Sequence, residues 1–349
     1  MKTASFGNEL AVNVTMEEAM VFPGYDWAET CPESQGVDST KLTDAMSYLA
    51  SVSGRQGTSQ ALVIRNGYLI WKGNDIDNKH NIWSATKSFT GTVLGILIDQ
   101  NRATLDTLAK DYVRTLEELY PNVTLRHFAT LTSGYDSIGG DQSSKPFNPT
   151  TPLFPPGTKF LYWDSAMNQF ANVLTQIAGE PIENLFKREI ADEIGMNSSK
   201  WSWGNWGTID GILVNGGAGN KKKGISISAR EFAKFGHLFL NRGNWNGAQL
   251  ISSAFVDQAT SVQVPPSLPG DSRIYGFNLW VNGIKPDGNP LWPDAPPRTY
   301  QAAGYNNNRC IIIPEYNMVI VRLGTDGDAV DINELNTFLE KIGESIIGS

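Results

Sequence analysis

The chain has 349 residues, of which 40% are hydrophobic and 18% charged, so it can bury a large core and lacks a disordered or fibrous composition. Its formal charge is −8, and its basic run, Lys221 to Lys223, is too short to follow a polyanion, so we expect no nucleic-acid partner. Apolar stretches fall short of the roughly 18 residues of a membrane helix, and the start lacks a signal-peptide core. We therefore expect a soluble chain without a membrane span, either cytoplasmic or exported with its leader removed, and no motif fixes the compartment.

Two β-hairpins are predicted, one toward each end of the chain. In ALVIRNGYLIWKG, β-rich runs flank Asn66 and Gly67, the dipeptide that best tolerates the positive φ angles of a type I′ turn. The runs RCIIIPE (309–315) and MVIVRLG (318–324) form the second hairpin. Beyond it, DINELNTFLEKIGESII spaces its apolar residues at helical intervals after Asp331, a suitable N-cap, and this predicts a packed terminal helix.

Between the hairpins the pattern is mainly helical, with long Pro-, Gly- and Asn-rich loops that could wall a cleft. Strands at both ends with helices between them predict an α/β (α+β) fold. In it, an antiparallel sheet built from both ends is flanked by helices and interrupted by a mainly helical insertion. We predict a sheet domain formed by residues 1–100 and 223–349, with an inserted helical domain at 101–222.

The stretch WSATKSFTG (83–91) places Ser84 and Lys87 three positions apart at the start of an apolar, helix-patterned run. On a helix these side chains share one face, so a desolvated amine with a lowered pKa could accept the serine proton. The alternative is an ordinary polar helix start, because S-x-x-K often occurs by chance. The apolar residues that follow predict a buried helix, which favours the catalytic interpretation.

A second candidate lies in LYWDSAMNQFANVLTQIAG (161–179), where Tyr162 and Asp164 stand just ahead of a predicted amphipathic helix. By itself Tyr162 could equally be a packing aromatic. The Y-x-D pattern gains functional meaning only if it meets Ser84 in space.

Motifs of other reaction classes are missing from the sequence. There is no G-x-S-x-G elbow, and His80, His127 and His237 are isolated, which disfavours a Ser-His-Asp hydrolase. Zinc-binding, phosphate-binding and dinucleotide-binding motifs do not occur either. Cys31 and Cys310 are expected to be free thiols. We therefore expect neither a metal nor a cofactor.

Together these pieces resemble the serine β-lactamase-like superfamily, in its branch of class C β-lactamases, D-alanyl-D-alanine carboxypeptidases, carboxylesterases and 6-aminohexanoate-dimer hydrolases. The likeness extends from about residue 35 to 345, and six blocks occur in family order. They are the first hairpin, WSATKSFTG, LRHFATLTSGYD, PPGTKFLYWDSAMNQFANVL, GISISAREFAKFGHLFLNRGNWNGAQLIS and AAGYNNNRCIIIPEYNMVIV. The resemblance implies a β-lactamase/transpeptidase-like fold and a serine hydrolase that forms an acyl-enzyme.

The family pattern implies roles for individual residues. Ser84 maps to the nucleophile, Lys87 to its activating partner and Tyr162 to a proton shuttle between the nucleophile and the leaving group. The oxyanion hole would combine the backbone N–H groups of Ser84 and of Tyr305, which follows Gly304. Whether Lys87 or Tyr162 first deprotonates Ser84 is left open by the pattern.

Two positions depart from the family pattern. Asp164 stands where the family commonly has Asn, and its carboxylate could pair with Lys87 and hold the amine charged. The third motif, usually begun by Lys, His or Trp, is here Ala302-Ala303-Gly304. Asp164, Ala302 and Gly304 are the predicted substrate-binding positions. Since alanine cannot hold a substrate carboxylate, neutral esters or linear amides are favoured over penicillin-like substrates.

Three functional hypotheses follow. The leading one is a hydrolase of small esters, or of linear amides, acting through a Ser84 acyl-enzyme. A peptidase or β-lactamase of the same superfamily would instead form a stable penicillin adduct on Ser84 or turn penicillin over. A non-catalytic binding or sensor protein on the same fold would not react with a fluorophosphonate. The expected partner is a small ester or amide, and no motif fixes the oligomeric state.

Overall fold

The computed structural model describes residues 20–270, 274–326 and 331–348. Its helices are α1 (Ser39–Val52), α2 (Thr86–Asp99), α3 (Leu125–Ala129), α4 (Asp164–Ala178), α5 (Ile182–Phe186), α6 (Ala229–Leu240), α7 (Ser253–Ala259) and α8 (Ile332–Glu344). Its strands are β1 (Gln60–Arg65), β2 (Tyr68–Lys72), β3 (His80–Asn81), β4 (Trp201–Trp203), β5 (Asn205–Ile209), β6 (Ile212–Asn215), β7 (Ile225–Ile227), β8 (Asn244–Trp245), β9 (Ala248–Gln249), β10 (Trp280–Val281), β11 (Tyr300–Gly304), β12 (Asn308–Ile313) and β13 (Met318–Leu323).

Strands from both ends of the chain form one antiparallel sheet, whose order within the described residues is β10-β11-β12-β13-β1-β2. The first and last hairpins meet where β1 pairs with β13, with Val63 opposite Ile320. Between β1 and β2, Asn66 and Gly67 have φ angles of 52° and 85°, as a type I′ turn requires. The predicted fold class and both predicted hairpins are confirmed.

Helices cover both faces of this sheet. On one face, α6 packs so closely that a Cβ on Gly236 would lie 2.6 Å from the Cys310 sulfur and 2.7 Å from Val319. Alternate residues of a strand face opposite sides, so Arg322 lies on the other face, where its guanidinium donates to the Ser53 carbonyl at the end of α1. There α1 packs against α8, the predicted terminal helix, which Asp331 caps as expected.

The helix α2 is buried along nearly its whole length, as its apolar sequence predicts, because every residue from Thr86 to Leu97 is inaccessible. It packs against α4 and α5 and also contacts β11. Phe89 stacks on Phe235 of α6 with a centroid distance of 4.2 Å. The start of α2 is therefore held in place by helices and sheet together.

The domain division at 1–100, 101–222 and 223–349 stays a prediction. The central range contains α3, α4 and α5, but also β4, β5 and β6, of which β4 joins β3 and β7 in a small sheet. None of the helices in the described ranges has the length and apolarity needed to cross a membrane.

Candidate active site

Ser84 lies in a short 3-10 turn, Trp83–Ala85, that leads directly into α2. Trp83 has a φ of 52°, a left-handed conformation that costs a non-glycine residue roughly 1 kcal/mol or more. The turn is held by the Asn81 side chain, whose Oδ1 accepts from the Trp83 backbone N–H at 2.6 Å. This strained turn sets a half-buried serine at the N-terminal end of a buried helix, where backbone N–H groups favour an anion.

The structure brings Lys87 to Ser84 as the S-x-x-K spacing predicts. The Lys87 ammonium donates to Ser84 Oγ at 2.9 Å, to Asp164 Oδ1 at 2.6 Å and to the Ala218 carbonyl at 3.3 Å. An ammonium has three donors, so all three are used. With 1% of its surface exposed, Lys87 is a desolvated amine that touches the candidate nucleophile.

The prediction that the buried Lys87 amine has a lowered pKa is wrong, because its pKa is raised. Burial alone would lower the pKa of Lys87, but the Asp164 carboxylate, and after it the Tyr162 phenol, more than offset burial and raise it. The physical reason is the Asp164 departure from the family pattern, which supplies a buried counter-charge. The ion pair with Asp164 therefore favours the charged form of Lys87.

Tyr162 also lies beside the Lys87 ammonium. The Lys87 Nζ lies 4.4 Å from the centroid of the Tyr162 ring, a cation–π distance. The same ring stacks on Trp280 of β10 at 5.3 Å, with an interplanar angle of 17°. Tyr162 is thus both a packing aromatic and a neighbour of the Ser84–Lys87 pair, so the Y-x-D pattern does meet S-x-x-K in space.

Asp164 is the first residue of α4, so the helix begins at this residue rather than after it. It is 6% exposed, and its second oxygen, Oδ2, accepts from Gln142 Nε2 at 2.6 Å. Its backbone N–H donates to Asp141 Oδ1 at 2.5 Å. The structure thus places Asp164 as the buried partner of Lys87, with both oxygens engaged by side chains of the chain itself.

Gly304, at the end of β11, allows the sheet to touch the Ser84 turn. A Cβ at this position would lie 2.0 Å from the Ile82 carbonyl oxygen and 3.0 Å from the Ala85 nitrogen, so only glycine fits. The next residue, Tyr305, is 62% exposed, and its ring meets that of Trp83 edge-on at 5.5 Å. The strand end that carries the predicted second oxyanion donor therefore lies beside the nucleophile.

Ala302, one of the predicted substrate-binding residues, is buried in the structure. It is 1% exposed and pairs with Cys310 across β11 and β12. Because paired residues point to the same side of a sheet, Ala302 lies on the face that α6 covers. No charged group stands at this position of the strand.

Several residues around Ser84 were not found from the sequence. Asn168, one helical turn beyond Asp164, accepts from the backbone N–H groups of Gly217 at 3.1 Å and Ala218 at 3.3 Å, and so holds the carbonyl that Lys87 contacts. Its spacing of four from Asp164 on a helix was a usable signal. Asp141 and Gln142 lie in a loop without any pattern that points to Asp164.

The isolated histidines and cysteines have structural surroundings. His80 contacts Gln60, His127 completes a capping box with Thr124, and His237 contacts the Val21 carbonyl. Cys31 and Cys310 are free thiols, as predicted. Within the described ranges, no group of three or more His, Cys, Asp and Glu side chains is arranged to hold a metal ion.

Comparison with known proteins decides the family. The family described as beta-lactamase matches residues 50–342, which is most of the chain. The chain belongs to the β-lactamase family. This confirms the resemblance inferred from the six sequence blocks. A relative in this range is an uncharacterised protein of Alkalihalophilus pseudofirmus, 22% identical over 285 residues that cover 78% of this chain and 81% of the relative.

Solved structures share the fold of this β-lactamase family member at low sequence identity. A family VIII carboxylesterase superposes with a TM-score of 0.67 at 14% identity, covering 89% of this chain and 99% of its own. A Bacillus anthracis protein provisionally named a 6-aminohexanoate-dimer hydrolase superposes with a TM-score of 0.64 at 18% identity, covering 93% of this chain and 87% of its own. These likenesses support the β-lactamase/transpeptidase-like architecture.

Proposed function

We propose that this protein is a serine hydrolase of small neutral esters, with linear amides as a second substrate class, acting through an acyl-enzyme on Ser84. The observation that carries the proposal is the contact of a half-buried serine hydroxyl with a buried, charged lysine at 2.9 Å. Membership of the β-lactamase family supports the reaction class. The carboxylesterase and the provisionally named amide hydrolase that share the fold support the two substrate classes.

In the proposed reaction, Ser84 Oγ attacks the substrate carbonyl carbon and the bond to the leaving group breaks. The Tyr162 oxygen takes the serine proton while the phenol passes its own proton to the leaving oxygen or nitrogen, so protons balance. Lys87 stays charged and donates to Ser84 Oγ, which stabilises negative charge as it develops. Water then repeats these steps in reverse on the acyl-enzyme.

The oxyanion hole is proposed to combine the backbone N–H groups of Ser84 and Tyr305. Support comes from Gly304, whose missing side chain lets the end of β11 lie against the backbone of the Ser84 turn. The N-terminal end of α2 adds a favourable potential for the tetrahedral anion. Removing one donor of this kind typically costs about 3 to 4 kcal/mol of transition-state stabilisation.

Neutral substrates are proposed because the positive charge nearest Ser84 is already neutralised. Asp164 pairs with Lys87 at 2.6 Å, and Ala302 provides no cation at the start of the third motif. A substrate carboxylate would thus find no free cation at these positions. An ester with a small acyl group and an uncharged leaving group needs no cation for binding.

A labelling and substrate experiment tests the proposal. A fluorophosphonate should label Ser84 of the folded protein, and p-nitrophenyl acetate or butyrate should be hydrolysed faster than a linear amide, with penicillin neither trapped nor turned over. The Ser84→Ala variant should show neither labelling nor hydrolysis. Rapid penicillin turnover or a stable penicillin adduct would instead assign a β-lactamase or peptidase. A folded protein without labelling would assign a binding role.

A further inference from the structure

Two consecutive loop residues, Asp141 and Gln142, hold Asp164 from two sides. The Asp141 carboxylate accepts from the Asp164 backbone N–H at 2.5 Å, at the N-terminal end of α4 where a negative charge is favoured. Gln142 Nε2 donates to Asp164 Oδ2 at 2.6 Å, leaving Oδ1 for Lys87 at 2.6 Å. Each oxygen of the buried Asp164 carboxylate thus has its own hydrogen-bond donor.

The far end of the Gln142 side chain is also engaged. Its Oε1 accepts from Asn220 Nδ2 at 3.4 Å, and Asn220 Oδ1 accepts from Asn168 Nδ2 at 3.1 Å. Since a carboxylate can only accept, the Gln142 nitrogen must face Asp164, and the amide orientation is fixed by its partners. A chain of hydrogen-bonded side chains therefore starts at Asn168 on α4 and passes through Asn220 to Gln142. From Gln142 it continues through Asp164 and Lys87 to Ser84.

The loop that carries this dipeptide is internally braced. The Gly140 N–H donates to the Ser137 carbonyl at 2.9 Å, and the Ser143 hydroxyl donates to the Ile138 carbonyl at 2.5 Å. Gly139 and Gly140 have φ angles of 96° and 74°, which suit glycine in a tight reversal. Gln142 is an exposed residue, yet its amide donates to Asp164, a residue that is nearly inaccessible.

We propose that Gln142 is a positioning residue for the Ser84 reaction, an inference that rests on the proposed function. By holding Asp164 Oδ2, it keeps Oδ1 on the Lys87 ammonium and so fixes the ammonium proton that points at Ser84 Oγ. Asp141 anchors the same loop to α4. The charged groups facing the Gln142 amide are Asp164 and Asp141, with Lys87 behind Asp164.

The test compares Gln142→Ala with Gln142→Glu in the full chain, using hydrolysis of p-nitrophenyl butyrate. Loss of a hydrogen bond to a charged group should lower kcat about tenfold in Gln142→Ala while KM changes less than about twofold. In Gln142→Glu the carboxyl can donate only when protonated. Its kcat relative to that of Gln142→Ala should therefore rise as the pH falls.

Gln258→Ala, on the exposed side of α7, is the matched control and should keep the wild-type kcat and KM. A wild-type kcat in Gln142→Ala, a raised KM at normal kcat, or a pH-independent ratio between the two Gln142 variants overturns the inference while the proposed function stands. A wild-type chain that neither hydrolyses esters nor labels at Ser84 overturns both. Because Gln142 is an exposed residue, neither variant leaves a core cavity.

Discussion

Two buried lysine–carboxylate pairs in the described part of the chain look alike but differ in their other partners. Lys87 pairs with Asp164 at 2.6 Å, and Lys234 of α6 pairs with Glu231 at 3.1 Å. Lys234 gives its other donors to two backbone carbonyls, those of Tyr25 at 3.2 Å and Gly195 at 2.6 Å. Lys87 instead gives one donor to a backbone carbonyl and another to a serine hydroxyl.

This difference shows what separates a structural ion pair from a candidate catalytic one. Around Lys234 every partner belongs to the fold, and Glu231 also accepts from the Asn197 backbone N–H at 3.0 Å. Around Lys87 one partner, Ser84, is half-buried at the start of a helix and can meet a substrate. Burial and charge pairing are thus common to both sites, and the accessible hydroxyl is the distinguishing feature.

The largest expected effect comes from removing each lysine in turn. Lys87→Met should lower kcat/KM by about a thousandfold, because Ser84 loses its charged donor. Both variants should lower the free energy of unfolding by roughly 3 kcal/mol, because Asp164 or Glu231 is left as an unpaired buried charge, but Lys234→Met should keep kcat per folded molecule near wild type. Steady-state kinetics and urea unfolding measure the two effects. Equal losses of kcat/KM in both variants would show that Lys87 is no more catalytic than Lys234.

A smaller loss is expected from Tyr162→Phe, which keeps the stacking on Trp280 but removes the hydroxyl. Loss of a general acid–base group should lower kcat about a hundredfold. The Lys87 environment retains its cation–π contact, so thermal unfolding should change little. The difference in kcat between Tyr162→Phe and wild type should become smaller with esters of better leaving groups, because such leaving groups need less protonation as they depart. A variant with full activity on poor leaving groups would exclude Tyr162 from the proton path.

The smallest effect on rate, and the sharpest on pH dependence, is expected from Asp164→Asn. The carboxylate raises the pKa of Lys87, so without it burial dominates and the pKa falls. If Lys87 acts in its charged form, activity is lost as the pH rises through that lowered pKa. The alkaline limb of the kcat/KM profile should therefore move to lower pH than in wild type. Higher activity at neutral pH, with the alkaline limb in place, would show that a neutral Lys87 is the base.

Much of the fold could be predicted from local signals. The Asn66-Gly67 turn, the apolar run of α2 and the Asp331 cap each follow from short-range chemistry that the structure repeats. That strands from both ends share one antiparallel sheet followed from strand signals at both ends, whereas the direct pairing of β1 with β13 is seen only in the structure. The division into domains is still a prediction, because nothing in these local patterns sets a boundary.

The candidate site was predictable only in part. Helical spacing alone brings Lys87 to Ser84, whereas the meeting with Tyr162 and Asp164 depends on how α2 packs against α4. The raised pKa of Lys87 could not be derived from its burial, since its sign depends on a carboxylate 77 positions away. The sequence did not reveal Gln142, because the loop geometry, and not a helical or strand spacing, brings it to Asp164.

The proposed reaction requires that Ser84 becomes covalently acylated during turnover. The most direct measurement is acid-quenched mass spectrometry of the wild-type protein mixed briefly with p-nitrophenyl butyrate, followed by peptide mapping. We expect one butyryl group on the peptide that contains Ser84, and none on the same peptide of Ser84→Ala. Hydrolysis without an acylated Ser84 at any mixing time, together with an active Ser84→Ala variant, would contradict it.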